Sequence, residues 1–300
     1  MKLALIISGM LRNFEHTYAS TKKFVLEDPF FDAVDIFFAG YSDHLSLNEA
    51  KTKFLNLYEP KNFLIEKWSN KIKRSIEIKT GCNKWQRKLE HKGNIINIMS
   101  AWRCRYLANQ LKIEYEKKNN FRYDFVYHLR SDFFFFDQIN HKVAIEGAEE
   151  HNSVYVPNHW DFKEFSKIAV GDISAMGSSE AMNKYFSFYL QANTYRLFGI
   201  HDHPETILGY HFKFQNIQRK FCERNVAREY PFSYPSANFL WEGKWTIEEV
   251  FDEMKIDQKF LYKQIPSKFF IYRLFFKIRY ILFNKKFFVF LKNNVKKIFE

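Results

Sequence analysis

Short apolar runs alternate with amphipathic stretches along the first part of the chain. The runs at 2–8, 34–39 and 63–66 predict buried strands, and the stretches at about 13–26 and 45–58 predict helices between them. Strands that alternate with helices in this way usually form a mostly parallel sheet covered by helices. The pattern therefore predicts an α/β fold.

The middle of the chain continues this alternation. A polar, basic stretch at 67–92 shows no clear periodicity and predicts a long loop or lid. Residues 94–117 carry the strongest helical pattern of the chain, with apolar side chains at Ile95, Ile98, Met99, Trp102, Tyr106 and Ile113. A β-prone run at 123–129 follows this helix, so a further buried strand is predicted there.

Shorter elements are predicted beyond this strand. Residues 153–156 and 173–176 read as short strands, and Ser178 suits the N-cap of a helix over about 179–197. Pro204 and Glu205 are typical of the first turn of another helix. We expect one domain over 1–245 and a helical C-terminal extension over 246–300.

The strand predicted at 123–129 ends in Arg130-Ser131-Asp132. Ligands of open α/β sheets bind at the carboxyl ends of the strands. Arg130 could bind a phosphate directly, and Asp132 could bind it through a divalent metal such as Mn²⁺ or Mg²⁺. The alternative is a plain salt bridge between the two residues.

A second candidate follows the first strand, at Ser8-Gly9-Met10-Leu11-Arg12. Gly9 permits a tight turn close to a ligand, and backbone N–H groups with Arg12 could hold a pyrophosphate. The segment is neither a Walker loop nor a G-x-G-x-x-G motif. The alternative is an ordinary turn with a solvated Arg12.

Two later segments carry candidate acids and bases. Asp172 could bind acceptor hydroxyls or act as a base, and the alternative is a carboxylate that stabilises a turn. In the cluster at 201–205, His203 could ligate a metal and Glu205 could be a catalytic carboxylate. The alternative is helix capping by Asp202 and dipole pairing by Glu205.

Charge is concentrated at the C-terminus. The net charge is +12, and residues 266–300 hold nine Lys/Arg against one acid, Glu300. The other residues carry only +4, which is unremarkable, so their charge predicts no nucleic-acid partner. The aromatic residues between the tail's cations are typical of a helix on an anionic membrane surface. Packing on the domain and single-stranded nucleic-acid binding are the alternatives.

The cysteine pattern and the apolar runs indicate the compartment. Cys82, Cys104 and Cys222 are isolated from one another, which argues against a disulfide scaffold or a structural zinc site. The N-terminal apolar run is short and reads as a strand rather than as a signal peptide. No uncharged run approaches the length of a membrane span. We expect a cytoplasmic protein at the inner membrane surface.

Residues 3–215 resemble a group of bacterial and viral glycosyltransferases with a GT-A-like, Rossmann-like nucleotide-diphospho-sugar transferase fold. The resemblance is carried by LIISGMLRNFE, VDIFFAGYSD, YDFVYHLRSDFFF, GDISAMGSSEAMNKYFSFY and HPETILGYHF. It implies that Asp132 handles the metal or the donor sugar and that Ser8, Gly9 and Arg12 lie near the nucleotide. Related folds carry Asp-x-Asp where this chain has Arg-x-Asp, and a single carboxylate weakens the case for a metal.

The resulting hypothesis is a transferase that moves a sugar from a nucleotide-sugar donor to a glycan or lipid-linked glycan acceptor. The product would be a surface glycan such as capsule or lipooligosaccharide. Arg12 and Arg130 would hold phosphates, and Asp172 or Glu205 would be the base of an inverting reaction; a retaining reaction needs neither. Two alternatives are transfer of a phosphorus-containing group to a glycan and a membrane-surface adaptor without catalysis.

Overall fold

The computed structural model describes residues 1–11, 14–42, 47–82, 95–157, 169–198, 204–223 and 225–228. Seven strands of this part form one mixed, mostly parallel sheet with helices on both faces. The prediction of an α/β fold with a mostly parallel sheet is therefore confirmed. The extension at 246–300 lies outside the described residues, so the domain boundary remains a prediction.

The strands of the described part form two sheets. Their bounds are β1 (Lys2–Met10), β2 (Ala33–Ser42), β3 (Asn62–Lys67), β4 (Phe125–Arg130), β5 (Phe133–Phe135), β6 (Ser153–Pro157), β7 (Ala175–Gly177), β8 (Gln218–Cys222) and β9 (Val226–Arg228). The large sheet has the order β3-β2-β1-β4-β7-β6-β8, and β5 pairs with β9 separately. Strands β3, β2, β1 and β4 run parallel, whereas β7 is antiparallel to both of its neighbours. The carboxyl ends of β1, β2, β3 and β4 thus meet at one edge, here called the carboxyl edge.

The helices of the described part follow the strands in alternation. Their bounds are α1 (Phe14–Thr21), which continues as a π-helical turn over Lys22–Leu26, α2 (Leu47–Tyr58), α3 (Asn70–Thr80), α4 (Ile95–Lys118), α5 (His141–Glu149), α6 (Ser179–Phe186), α7 (Phe188–Leu197) and α8 (Pro204–Phe214). None of these helices combines the length and the apolar character that crossing a membrane requires.

The alternation of side chains along β1 divides the core into two layers. Leu3, Leu5 and Ile7 pack against α1, α2 and α5, while Ala4 and Ile6 pack against α4, α6, α7 and α8. We call the second side the α4 face. Both faces of β1 are buried because helices cover both sides of the sheet.

Two predictions about helices need correction. The stretch at 67–92 was expected to be a loop, but α3 occupies its first part. Ser69 caps this helix by accepting a hydrogen bond from the Ile72 N–H, and Gly81 ends it with a left-handed backbone, φ 61°. Buried Ile76 holds the helix to the core, a tertiary contact that the weak sequence pattern did not signal.

The helix predicted at 179–197 is two helices. Ser178 caps α6 as predicted, since its hydroxyl accepts a hydrogen bond from the Ala181 N–H. The chain then turns at Ser187, whose hydroxyl donates to the Lys184 carbonyl at 2.7 Å. A serine that bonds backward in this way competes with the helical hydrogen bonds, and α6 ends just before it.

Gly9 and Gly40 allow β1 and β2 to approach each other at the carboxyl edge. Gly9 has φ +115°, a conformation that side chains disfavour, and the space beside it is open. A Cβ on Gly40 would lie 1.9 Å from the Gly9 carbonyl oxygen and 2.6 Å from the Phe38 ring. Glycine is therefore required at both positions.

Replacing Gly40 with alanine should destabilise the fold strongly. The clash with the Gly9 backbone cannot be relieved by moving a side chain, so we expect Gly40→Ala to cost about 3 kcal/mol or more of unfolding free energy. Chemical denaturation measures the loss. Lys71→Ala, at an exposed position of α3, is the control and should stay within about 0.5 kcal/mol of the native protein. Equal stability of both variants would contradict this packing.

Candidate functional site

The carboxyl edge brings the first two candidate segments together. The register pairs Ser8 with Arg130 across β1 and β4, and Gly9 with Gly40 across β1 and β2. The Ser131 N–H donates to the Ser8 carbonyl at 3.3 Å, and the Ser131 hydroxyl donates to the Met10 carbonyl. Ser8, Gly9 and the Arg130-Ser131-Asp132 turn therefore lie side by side.

Ser8 contacts a histidine that the sequence reading did not single out. Its hydroxyl lies 3.0 Å from His128 Nε2 on the α4 face, and both side chains are buried. Burial, followed by the charges of Arg105 and Arg130, holds the pKa of His128 well below its ordinary value. His128 is therefore neutral at physiological pH and acts here as a hydrogen-bonding group.

Arg105 on α4 is a second residue of the site that was missed. Its side chain is only 1% exposed, and Nη2 donates to both Oδ2 and the backbone oxygen of Asp172 at 3.0 Å each. The guanidinium lies 4.3 Å from the Trp102 ring. Nε and Nη1 are buried without a hydrogen-bond partner in the described part of the chain. A buried cation with two unpaired nitrogens is a candidate for contact with an oxygen-rich ligand.

Glu205 joins this group from the first turn of α8. Burial, and then the negative charge of Asp172, raise the pKa of Glu205 to about 7, while its own backbone N–H and Arg105 oppose the shift. The Val170 N–H donates to the Glu205 carbonyl at 2.9 Å and ties the segment before Asp172 to α8. The two predicted carboxylates thus lie in one electrostatic environment. We call Arg105, His128, Asp172 and Glu205 the Arg105 cluster.

Arg130 and Asp132 form a two-point ion pair. Nε of Arg130 donates to Oδ1 of Asp132 at 2.8 Å, and Nη2 donates to Oδ2 at 2.7 Å. Asp132 is the buried partner, with a side chain 7% exposed against 34% for Arg130. The alternative of a salt bridge at this strand end therefore describes the observed contact, and ligand roles for the two residues remain predictions.

This arrangement does not fit a metal ion at Asp132. Both carboxylate oxygens face a guanidinium, and the described residues contain no group of three or more His, Cys, Asp or Glu side chains that could hold a metal. The predicted metal ligand His203 and the predicted phosphate ligand Arg12 lie outside the described residues. No chemical step is therefore assigned to a metal here.

A polar cluster adjoins the site at the ends of β2 and β3. Arg103 donates to the Tyr41 hydroxyl at 2.9 Å and to both carboxylate oxygens of Glu66. Cys104 lies beside Tyr41, and burial raises the pKa of its thiol to about 12. The thiol therefore stays protonated, which argues against a nucleophilic role.

A periodic reading could have identified the missed residues. His128 lies two residues before Arg130, so it shares the sheet face of Arg130 and Ser8. Arg105 lies three residues after Trp102, so it continues the buried stripe of α4. Because a buried arginine needs a charged partner, an arginine in that stripe indicates a buried polar site.

Comparison with known proteins yields only structural neighbours. No protein-family model matches the sequence, and no curated protein sequence matches it. The apo form of mouse xyloside xylosyltransferase 1 is similar at TM-score 0.42 and 9% identity, over 74% of this chain and 85% of that chain.

Two further solved structures are glycosyltransferases as well. The apo bifunctional glycosyltransferase WbbM matches at TM-score 0.41 and 13% identity, over 73% of this chain and 38% of its own. The glycosyltransferase GlyE of Streptococcus pneumoniae TIGR4 matches at TM-score 0.36 and 10% identity, over 73% of this chain and 45% of its own. The chain thus spans less than half of these two proteins. At such scores, function has to be inferred from this chain's own residues.

The raised pKa of Glu205 should make stability depend on pH. Because the folded protein keeps this proton up to about pH 7 and the unfolded chain releases it near 4.5, Glu205 lowers stability as pH rises through that window. Glu205→Gln removes the ionisation. We expect the unfolding free energy of this variant, relative to that of the native protein, to rise by about 2 kcal/mol from pH 5 to pH 8. Denaturation at each pH measures it.

The exposed residue Glu149 on α5 provides the matched control. Glu149→Gln should follow the native pH dependence. His128 and His211, whose pKa values are lowered, remain in all three proteins. The difference in unfolding free energy between a variant and the native protein therefore reports the substituted group alone. A constant difference between Glu205→Gln and the native protein across this range would contradict the proposed burial of Glu205.

Proposed function

We propose that this chain is a glycosyltransferase with a GT-A-like fold that moves a sugar from a nucleotide-sugar donor to a glycan acceptor. The observation that carries the proposal is the Arg105 cluster at the carboxyl edge. It combines a buried, half-paired guanidinium with a carboxyl group whose pKa is about 7. The sequence resemblance to nucleotide-diphospho-sugar transferases supports the same reaction class.

Glu205 is the proposed base of an inverting reaction. A general base works best when its pKa lies near the working pH. The acceptor hydroxyl oxygen would form a bond to the anomeric carbon while the bond from that carbon to the diphosphate breaks. Glu205 would take the hydroxyl proton, and the nucleoside diphosphate would leave with the bonding electron pair.

Asp172 is better suited to tuning Glu205 than to accepting a proton itself. Its carboxylate is paired with Arg105 at 3.0 Å, and its negative charge helps to raise the pKa of Glu205. The ion pair orients both partners. We therefore assign Asp172 a positioning role in this proposal and leave proton transfer to Glu205.

The cations at the carboxyl edge are the proposed partners of the donor phosphates. Arg105 has two nitrogens without a hydrogen-bond partner in the described structure, whereas Arg130 is bonded to Asp132 through two nitrogens. Arg105 thus joins Arg12 and Arg130 as a candidate phosphate ligand. The open space beside Gly9 would let a ligand approach the backbone of β1.

The finer parts of the proposal concern the acceptor and the location. A position at the cytoplasmic surface of the inner membrane through 266–300 is proposed from the basic and aromatic composition of that segment, and a capsule or lipooligosaccharide acceptor is proposed from the sequence resemblance. Product analysis with defined acceptors and subcellular fractionation of the full chain test these two parts separately.

The donor can be identified by thermal stabilisation. A nucleotide that binds only the folded state raises the melting temperature by mass action. We expect one of UDP, GDP, CMP and ADP to stabilise the protein selectively, with or without Mn²⁺, and Arg130→Gln, which removes a candidate phosphate ligand, to weaken the shift with the fold retained. Release of that nucleotide from its sugar conjugate then separates sugar transfer from transfer of a phosphorus-containing group. A well-folded protein that none of the four stabilises would contradict a nucleotide-sugar donor of these classes.

The base can be identified from the pH dependence of kcat/KM. Because Glu205 must be deprotonated to act, activity should rise with pH around pH 7. Asp172→Asn removes the like charge and leaves Arg105 less neutralised, so this rise should move to lower pH while activity remains. Glu205→Gln should lose activity by about a hundredfold or more, with the fold retained. The reverse result, an inactive Asp172→Asn and an active Glu205→Gln, would assign the base to Asp172.

A further inference from the structure

Helices α7 and α8 and the residue that ends α7 expose large apolar side chains. Leu197, Phe198 and Phe214 are 68%, 66% and 52% exposed, and Leu190 is 38% exposed. Leu190 and Leu197 lie seven residues apart on the same face of α7, which gives this side a length of roughly 10 Å. We call these four residues the apolar patch.

The rings of the patch are held by neighbours on the same two helices. Phe214 stacks on Tyr195 at 5.7 Å and 14° and on Phe198 at 5.8 Å and 25°, and Tyr210 lies at 6.3 Å and 25°. Since Tyr195 is buried, the stack extends from the core to the surface. The exposed rings are thus anchored to the core through Tyr195.

In α7 and in the last turn of α8, the charged side chains are cations. Arg196 precedes Leu197 and Lys213 precedes Phe214, and α7 contains no acidic residue. The single acid of α8 is Glu205, at the opposite end of that helix. Exposed Leu and Phe beside Arg and Lys match a membrane surface that carries anionic headgroups.

We infer that the apolar patch docks the folded domain on an anionic lipid surface. Leu190, Leu197, Phe198 and Phe214 would enter the boundary between headgroups and acyl chains. Arg196 and Lys213 would contact the phosphate oxygens of the headgroups. The inference is drawn from described residues alone and does not depend on the proposed transferase activity.

Vesicle binding by the full chain tests this inference. The probes are vesicles of phosphatidylcholine and vesicles in which about one quarter of the lipid is phosphatidylglycerol, at about 0.1 M salt. The native protein should sediment with the anionic vesicles and much less with the neutral ones. Leu197→Glu/Phe198→Glu should weaken binding to the anionic vesicles about tenfold or more. Leu197→Ser/Phe198→Ser should weaken it in the same direction without added charge.

Ile145→Glu is the matched control, because Ile145 is 48% exposed on α5, on the opposite face of the sheet. It should bind vesicles as the native protein does. Melting temperatures close to the native value would show that the variants are folded, as expected for residues this exposed. Arg196→Gln/Lys213→Gln should reduce the preference for anionic vesicles.

Three results would overturn the inference. Native binding by both patch variants would assign vesicle binding to other parts of the chain. Equal weakening by Leu197→Glu/Phe198→Glu and Ile145→Glu, with native binding by Leu197→Ser/Phe198→Ser, would show a general charge effect. A native protein that ignores vesicles but forms a dimer that Leu197→Ser/Phe198→Ser abolishes would assign the patch to a second copy of the chain. Activity of the patch variants on a soluble acceptor separates this inference from the proposed function.

Discussion

The site depends on one ion pair, between the buried Arg105 on α4 and the partly exposed Asp172 in the segment before β7. A guanidinium that is 1% exposed is tolerated only where an acid or a ligand compensates it. The pair fixes α4 against the antiparallel part of the sheet. It also places a negative charge beside Glu205, and that charge helps to raise the pKa of Glu205 to about 7. Packing and chemistry at the carboxyl edge therefore rest on the same contact.

The neighbouring groups show why this edge is polar inside a mostly apolar core. On the α4 face of β1 and β4, the apolar side chains of Ala4, Ile6 and Val126 give way to Ser8 and His128 toward the carboxyl edge. Arg105 of α4 adds a buried charge on the same side. The change from apolar to polar occurs along the strands, toward their carboxyl ends. Neutral His128 tolerates the nearby cations because burial keeps its pKa low. Such a buried polar group is costly for stability and is typical of sites that contact ligands.

Arg130 and Asp132 show the limit of a motif-based interpretation. The position at a strand end was predicted correctly, but the two side chains neutralise each other through two hydrogen bonds. The ion pair leaves Asp132 poorly suited to a metal and makes Arg105 the better candidate cation at this edge. A short motif indicates where chemistry can occur, whereas the partner of each charge depends on side-chain geometry.

Local periodicity was sufficient for the central elements. The buried strands β1, β2 and β4, the long helix α4 and the cap at Ser178 follow from apolar spacing and capping chemistry, which act over a few residues. The parallel order of these strands then placed Ser8 next to the Arg130 turn. The strands, the helix and the cap were available from the sequence because each depends on neighbours in the chain, whereas the pairing of β1 with β4 depends on the fold.

Contacts between distant residues were decided only by the tertiary structure. Helix α3 is stabilised by Ile76 in the core, and the strand β8 pairs with β6 at the edge of the sheet, although neither segment has a strong local pattern. Arg105 meets Asp172 across 67 residues of chain, and the pKa of Glu205 depends on both. The sequence determined which residues could carry charge and where strands end. The fold determined which charges are buried together, because burial and pairing set the energy of an ionised group.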